Sequence, residues 1–271
     1  MTQVDTITRE TTGDVLREWR KRRRLSQLEL ALEADISARH LSFVESGRAS
    51  PSRDVLANLA ERLSMPLRAR NRLMLSAGYA PAHSETNFDG ADLAHIRDMV
   101  RAILVGHMPF PAIAIDGRWT LLEANAAAAS LFDGIDPALL TPPVNVLRLS
   151  LHPEGLASRI ANLGEWRHHV LERLHAQMDS SGDGFLATLH DELTAYPAPS
   201  LPTATTGRTH PSIAVPLELR DLRSDRVLRF ISTTTVFSTA TSVTLSELSL
   251  ECFYPADEAT RAALTGAEEI P

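Results

Sequence analysis

Residues 25–51, LSQLELALEADISARHLSFVESGRASP, constrain this chain more than any other stretch. Ser26 can cap a helix that opens at Gln27, because a serine hydroxyl accepts a hydrogen bond from a free amide of the first turn. Leu28, Leu32 and Ile36 recur at helical spacing and are expected to face inward. Asp35 interrupts that pattern, and Ser37 caps a second helix expected over residues 38–45. On it Leu41 and Val44 fall on the inner face, while Ala38, Arg39, His40 and Phe43 fall on the outer one. Gly47 lets the chain turn, and Ser50-Pro51-Ser52 opens a further helix with Ser50 or Ser52 as its cap. Two short helices with a tight connection, the second polar and basic outside, make a helix-turn-helix pattern.

Helices are expected on either side of this pair. Residues 13–23 place Val15, Leu16 and Trp19 inward and end in Lys21-Arg22-Arg23-Arg24, a run that suits both a helix C-terminus and phosphates. Residues 53–63 carry the stripe Leu56, Leu59, Ala60 and Leu63, and a fifth helix runs from Pro66 through Leu73 and Met74 to Gly78. The stretch from about 15 to 76 resembles the lambda-repressor-like (XRE) DNA-binding domains. The carrying residues are Arg20, Leu25-Ser26-Gln27, Leu30-Ala31, Ile36-Ser37, Leu41, Val44-Glu45-Ser46-Gly47, Pro51 and residues 56–63. The chain departs from the family at Asp35, where glycine is usual; aspartate tolerates left-handed backbone better than most residues. The resemblance implies an ion pair between Arg20 and Glu45 that ties the first helix to the third, so neither is counted among the reading residues.

Composition agrees only when divided along the chain. The 271 residues carry a net charge of −7, which by itself argues against a nucleic-acid partner. Residues 1–80, however, hold 14 Lys/Arg against 10 Asp/Glu, a net +4, whereas residues 81–271 hold 13 against 24, a net −11. The basic excess lies in the helix-turn-helix half, and the acidic remainder would repel DNA. Cys252 is the only cysteine, so an intrachain disulfide and a cysteine-based metal cluster are excluded. With no N-terminal apolar segment and no apolar run of bilayer length, a cytoplasmic protein without membrane contact is expected.

The expected partner of the first half is a double-stranded DNA operator. Arg39, long and outward, suits a bidentate contact with guanine in the major groove, beside His40 and Ala38. Phe43 either meets a thymine methyl or tucks partly into the domain. Ser37 and Ser42 suit backbone phosphate, as do Arg48 and Arg53, which flank the turn. Gln27, at the start of its helix, reaches a phosphate with its side chain and nearby amides.

Beyond residue 80 the pattern changes. Residues 1–12 read as a polar tail, 81–106 as a linker with a connecting helix over 89–104, and 107–271 as a second domain. In that domain strands are expected over 112–116 and 119–124, a short helix over 126–132, a short element over 145–151 and a long helix over 156–178. A further helix reaches residue 193, followed by a Pro/Thr-rich loop over 197–211. Strands over 213–220, 226–237 and 245–254 and a last helix through residue 264 complete it; Pro216 marks an edge strand. In the third of these strands Leu248, Leu250, Cys252 and Tyr254 share a face. The expected class is α+β: an N-terminal all-α five-helix lambda-repressor-like domain over 1–80 and a C-terminal PAS-like domain of about five antiparallel strands with helices against one face. Phe110, Trp119, Phe132, Trp166 and Phe230 read as core.

Across roughly 15–264 the chain resembles the MmyB-like transcription regulators. That rests on His107-Met108-Pro109-Phe110-Pro111-Ala112, Trp119 with Leu121, Asn125-Ala126-Ala127, Asn145-Val146-Leu147-Arg148-Leu149 and His152-Pro153-Glu154-Gly155-Leu156. Trp166, Phe237, Val243-Thr244-Leu245-Ser246-Glu247-Leu248 and Phe253-Tyr254-Pro255-Ala256-Asp257 extend it. The resemblance implies an XRE domain followed by a PAS-like domain that binds a small apolar ligand such as a fatty acid. Asn145, Arg148 and His152 are the candidate ligand-binding residues, with Arg148 suited to hold a carboxylate by paired hydrogen bonds; the alternative is that Asn145 and His152 satisfy loop backbone. His168, His169 and His175 do not make a metal set, because His168 and His175 stand two turns apart on one face. No enzymatic activity is expected, since there is no Gly-rich phosphate loop, GxSxG or nucleophile–base pair; no cofactor is expected either, with a haem or flavin in the PAS-like domain as the alternative. The expected function is a sequence-specific, ligand-responsive transcription regulator acting as a homodimer. An antitoxin-like protein-interaction regulator without a small-molecule ligand is the alternative.

Overall fold

The computed structural model describes residues 10–197, 215–222, 224, 226–237 and 239–266. Residues 1–9 of the expected tail, nearly all of the Pro/Thr-rich loop and Ile213 lie outside them. The described chain divides into two compact units. One holds the residues up to Glu85 with Asp179–Gly182 and Thr241–Val243; the other holds Thr86–Met178, Asp183–Ala240 and the residues from Thr244 on.

The first unit is built on α1 (Thr12–Arg22), α2 (Gln27–Glu33), α3 (Ala38–Glu45), α4 (Arg53–Arg62) and α5 (Leu67–Ser76). Thr11 and Asp14 close a capping box on α1, and Ser26 and Glu29 close one on α2. Ser37 caps α3 through the His40 amide at 3.1 Å, and Ser52, not Ser50, caps α4. Between α2 and α3 the chain turns at Asp35, whose φ of +52° is the left-handed conformation the resemblance pointed to. The core gathers Val15, Leu16, Trp19, Leu30, Ala31, Leu41, Val44, Leu56, Leu59 and Leu73. The expectation for α2 is corrected here: Leu28 and Leu32 are 59% and 71% exposed, and Leu30, Ala31 and Ala34 face the core instead. Both stripes have helical spacing. The one with two alanines wins because small side chains let α2 pack closely, and Ile36 follows it inward as a half-buried contact.

One joint holds α1 against α3. Gly13 lies so close to the end of α3 that a Cβ there would stand 2.2 Å from the Glu45 carbonyl oxygen. Glu45 is buried and accepts from Arg20 Nε at 2.7 Å, from Arg20 Nη2 at 2.9 Å and from Gln27 Nε2 at 2.7 Å. Burial pushes the Glu45 carboxyl up, and the hydrogen bonds from Arg20 and Gln27 outweigh it, so its pKa ends below the ordinary value.

The second unit is a five-stranded antiparallel sheet in the order β2-β1-β5-β4-β3, formed by β1 (Ala112–Ile115), β2 (Leu121–Ala124), β3 (Leu217–Arg220), β4 (Val227–Val236) and β5 (Ser249–Pro255). This is the PAS-like α+β arrangement, with β1–β2 and β3–β4 as hairpins and β5 between them. On the front face lie α7 (Ala126–Leu131), α8 (Val146–Leu151), α9 (Leu163–Ser181) and α10 (Gly184–Ala195). Helices cover both faces of the sheet, not one face as the sequence reading expected. On the back, α6 (Ala94–Gly106) places Val100 and Leu104 against Ala112, Ala114, Leu248, Leu250 and Cys252. The chain closes with α11 (Val243–Glu247) and α12 (Glu258–Thr265).

Two sequence expectations fail locally, for identifiable reasons. The helix read from residue 156 starts at Leu163, because residues 159–162 run along the open edge of β3 and satisfy it. Ala161 N donates to Glu218 O at 2.8 Å, Arg220 N donates to Arg159 O at 2.9 Å, and the Asn162 side chain bridges Pro216 O and Glu218 N. Ahead of it, Gly155 interrupts a single π-helical turn, Pro153–Ala157, where a Cβ would sit 2.3 Å from Leu149 O. The strand read from residue 245 starts at Ser249, with α11 before it. The register is as expected on one face, and Leu250 and Cys252 are buried.

Glu45→Ala strips the buried Arg20 guanidinium of its carboxylate, an exchange that costs about 3–5 kcal/mol. The denaturant dependence of amide exchange in α1 and α3 measures the loss. Because the folded Glu45 pKa is depressed, the pair's contribution is complete above the ordinary carboxyl value. It fades as pH falls through the folded pKa, so the gap between wild type and variant closes on acidification.

Candidate DNA-reading surface and ligand cavity

On the first unit, α3 presents its N-terminal half outward. Arg39 is exposed, while Ala38, His40, Ser42 and Phe43 are half-exposed. Phe43 is partly tucked into the domain, and guanidinium carbons lie over its ring from Arg39 at 5.3 Å and Arg48 at 5.2 Å. Arg48 Nε also donates to Ser46 Oγ at 3.1 Å. One small surface thus brings together two cations, an aromatic edge and the α3 N-terminus, with no acid in the first turn of α3. Arg53 is exposed at the start of α4. The Ser37 hydroxyl is occupied as a cap, and the Gln27 side chain is held by Glu45, which leaves Gln27 half-exposed with its amide oriented by the α1–α3 joint.

In the second unit a cavity lies between the front of the sheet and helices α7, α8 and α9. Its volume is about 100 Å³, and part of it is open to solvent. Ile113, Leu147, Leu149, Leu156, Val170, Leu217 and Leu219 supply aliphatic wall, and Trp119, Phe132, Trp166 and Phe253 supply aromatic wall. Three of the aromatics read as core, Trp119, Phe132 and Trp166, therefore line the cavity. Trp119 reaches it from a left-handed backbone, φ +65°, just after the Asp116-Gly117-Arg118 turn, and its indole N–H donates to Gln177 Oε1 at 2.7 Å. Trp166 Nε1 donates to Ser150 Oγ at 2.9 Å.

The polar wall is compact. Arg173 on α9 donates from Nη2 to Glu251 Oε1 at 2.5 Å and to Thr234 Oγ1 at 2.9 Å, and from Nη1 to Glu251 Oε2 at 3.3 Å. The Thr234 hydroxyl donates to Glu251 Oε1 at 2.8 Å, and the Arg173 guanidinium lies over the Trp119 ring 4.6 Å from its centroid. Ser150, His169 and Ser232 complete the polar lining among the described residues. Burial, and secondarily the Arg173 charge, depress the His169 pKa, so its imidazole is biased toward the neutral form.

Asn145, Arg148 and His152 stand close together but not on this wall. The Asn145 carboxamide caps α8, accepting from Leu147 N and Arg148 N at 3.1 Å and donating to Arg118 O at 2.9 Å. Arg148 makes a two-point pair with Glu192 of α10, at 2.8 and 2.7 Å, and the Tyr196 hydroxyl donates to the same carboxylate at 2.6 Å. Burial and that carboxylate push the Tyr196 pKa up to about 12. His152 Nδ1 accepts from Glu154 N at 3.2 Å, with its ring against Tyr196. The paired hydrogen bonds expected of Arg148 are present, but they hold an internal carboxylate. The residues the sequence reading missed are Arg173 and Glu251. A signal existed: Glu251 is the one charged residue in the strand SLECFYP, where period 2 turns it away from the Leu250–Cys252 face.

Replacing Arg173 by Met removes the second cause of the depressed His169 pKa and leaves the Glu251 charge beside the ring. The His169 pKa should therefore rise from its depressed position, with burial still holding it down, read by NMR titration of the imidazole. In the wild type, the unfolded chain binds this proton first as pH falls below 6.5, so His169 lowers stability on acidification; that penalty shrinks in the variant.

Among the described residues no helix is long and apolar enough to cross a membrane. No curated protein matches the chain significantly. Among solved structures, the crystal structure of the clp gene regulator ClgR from Corynebacterium glutamicum is similar at 24% identity, over 38% of this chain and 98% of that one, with a TM-score of 0.23. The helix-turn-helix profile matches residues 16–69, the segment that carries α1 to α4. The profile of the MmyB-like transcription regulator ligand binding domain matches residues 96–266, the segment that carries the sheet, its front helices and the cavity. The chain belongs to the MmyB-like transcription regulators.

Proposed function

We propose that this DNA-binding transcription regulator is a cytoplasmic homodimer that reads its operator with the outer face of α3. In this reading its DNA affinity changes when the cavity takes up a small molecule with a hydrocarbon body, such as an acyl chain. The observation that carries the reading is the cavity itself. Its wall is aliphatic and aromatic along most of its extent, and its polar groups are gathered at Arg173, Glu251, His169, Ser150 and Ser232. That is the make-up of a site for an amphipathic molecule, with a body recognised by burial and one end by hydrogen bonds. We assign the polar end to the Arg173–Glu251 wall rather than to Arg148, whose guanidinium is committed to Glu192. Dimerisation follows from economy: one five-helix reader covers one half-site, and two-fold pairing doubles the contacts.

In the reading surface, Arg39 is given base contacts, with His40, Ala38 and Phe43 beside it. Ser37, Ser42, Arg48, Arg53 and Gln27 are given contacts to phosphate. The cation–π contacts to Phe43 support this division, because they hold Arg39 and Arg48 on one outward patch.

Native mass spectrometry of the purified protein should find a retained small molecule, and thermal melts with straight-chain compounds should show stabilisation that grows with chain length and then levels off. A ligand at 100 times its Kd contributes about 2.7 kcal/mol. A flat response across the series would reject the cavity as an acyl site. Arg39→Ala should cost about 1–3 kcal/mol of specific operator binding with the fold unchanged. Equal binding by wild type and variant, in gel shifts with specific and scrambled duplexes, would remove α3 as the reader. Sedimentation velocity of the full chain tests the dimer.

A further inference from the structure

We infer that the polar end of the cavity selects a neutral head group that can donate a hydrogen bond, an alcohol or a primary amide, over a carboxylate. This deepens the ligand-gated reading above and rests on it. The feature that points to it is the pairing state of the cavity's cation. Arg173 does not face the cavity as a lone positive charge; it is held by Glu251 through both terminal nitrogens and by Thr234, with its guanidinium carbon over the Trp119 ring. The Glu251 side chain is only 4% exposed, so its negative charge belongs to the cavity wall.

A ligand carboxylate at this end would place two carboxylates around one guanidinium on a largely apolar wall, a net −1. Like charges sharing a site oppose joint ionisation, and burial adds to the penalty. No other positive group among the described lining residues offsets it. His169 is the remaining base, and burial with the neighbouring Arg173 biases it toward neutrality. A hydroxyl or amide escapes this penalty. Its O–H or N–H can donate to Glu251, whose Oε2 accepts only a long 3.3 Å bond from Arg173 among the bonds described, and its oxygen can accept from the hydroxyl of Ser150 or Ser232 on the same wall. A buried acceptor that gains a donor is worth more than its area, because leaving it unpaired carries the desolvation cost.

The test compares three compounds of one chain length, dodecanol, dodecanamide and dodecanoate, titrated at pH 8 into the delipidated full-length protein by calorimetry. The alcohol and the amide should bind at least about tenfold tighter than the carboxylate, a difference of about 1.4 kcal/mol. Glu251→Gln keeps the shape, and its amide oxygen can still accept from Arg173 Nη2 and Thr234 Oγ1, while the Nη1 hydrogen bond is lost and the guanidinium charge is freed. In that variant dodecanoate should gain at least about tenfold, and the alcohol, deprived of its acceptor at Oε2, should not gain. Wild-type protein that binds dodecanoate as tightly as dodecanol or tighter overturns the inference and leaves the acyl cavity standing. Binding of none of the three overturns the cavity reading, and the inference with it. The wild-type ranking decides the matter even if the variant fails to fold.

Discussion

The C-terminal unit depends on the register of β5. This strand is hydrogen-bonded on both edges, to β1 and to β4, and both of its faces are covered. Leu250 and Cys252 face backward onto α6, while Glu251 and Phe253 face forward into the cavity. A slip of one residue would reverse every assignment. It would drive a carboxylate into the apolar seam with α6 and put leucine where Arg173 and Thr234 need an acceptor. Glu251 therefore fixes the strand as firmly as the leucines do. Its partners lie on α9 and β4, so one side chain ties a helix, a neighbouring strand and the central strand to a single geometry.

Glu45 and Glu251 make an instructive contrast. Both are buried carboxylates, and both are satisfied by an arginine and a second donor. Burying such a charge is tolerable only because each partner is present. The difference lies in the arginine. Arg20 is enclosed, with 12% of its side chain exposed, at a joint where Gly13 already brings two backbones together. The Arg173 side chain is 35% exposed, along the wall of a cavity. The same kind of ion pair thus fastens a joint in one unit and lines a cavity in the other, and the surroundings of the cation decide which.

The helical unit was legible in the sequence because its signals are local. Serines at the caps, helical spacing and a left-handed residue at position 35 each act within a few residues, and the structure follows them. Where local signals are degenerate, reading stops: Leu28 and Leu32 repeat as regularly as Leu30, Ala31 and Ala34, and only packing against other helices selects between the stripes. The sheet was legible as alternation, but alternation does not say which face meets a cavity. Reading the strand by its leucines led to the α6 side, and the single acid that marks the other side passed unnoticed. The Asn145-to-His152 segment looked like a site because it concentrates polar residues. Those residues are consumed by a helix cap, by Glu192 and by a turn, a fate set by α10 some forty residues away.

The position of Glu251 also limits how an occupant can act on the unit that holds it. A ligand shifts a conformational equilibrium only by contacting the two states unequally. Contacts with Leu147, Leu149 and Leu156 bear on α8 and the adjoining turn, on the front of the sheet. A hydrogen bond to Glu251 bears on β5 itself, and the residues on either side of it, Leu250 and Cys252, pack on the back face with Val100 and Leu104 of α6. In a close-packed interior such a seam does not deform gradually; side chains hold one packing or move to another. Like β1, whose Ile113 lines the cavity while Ala112 and Ala114 pack on α6, β5 therefore touches both the cavity and the α6 seam.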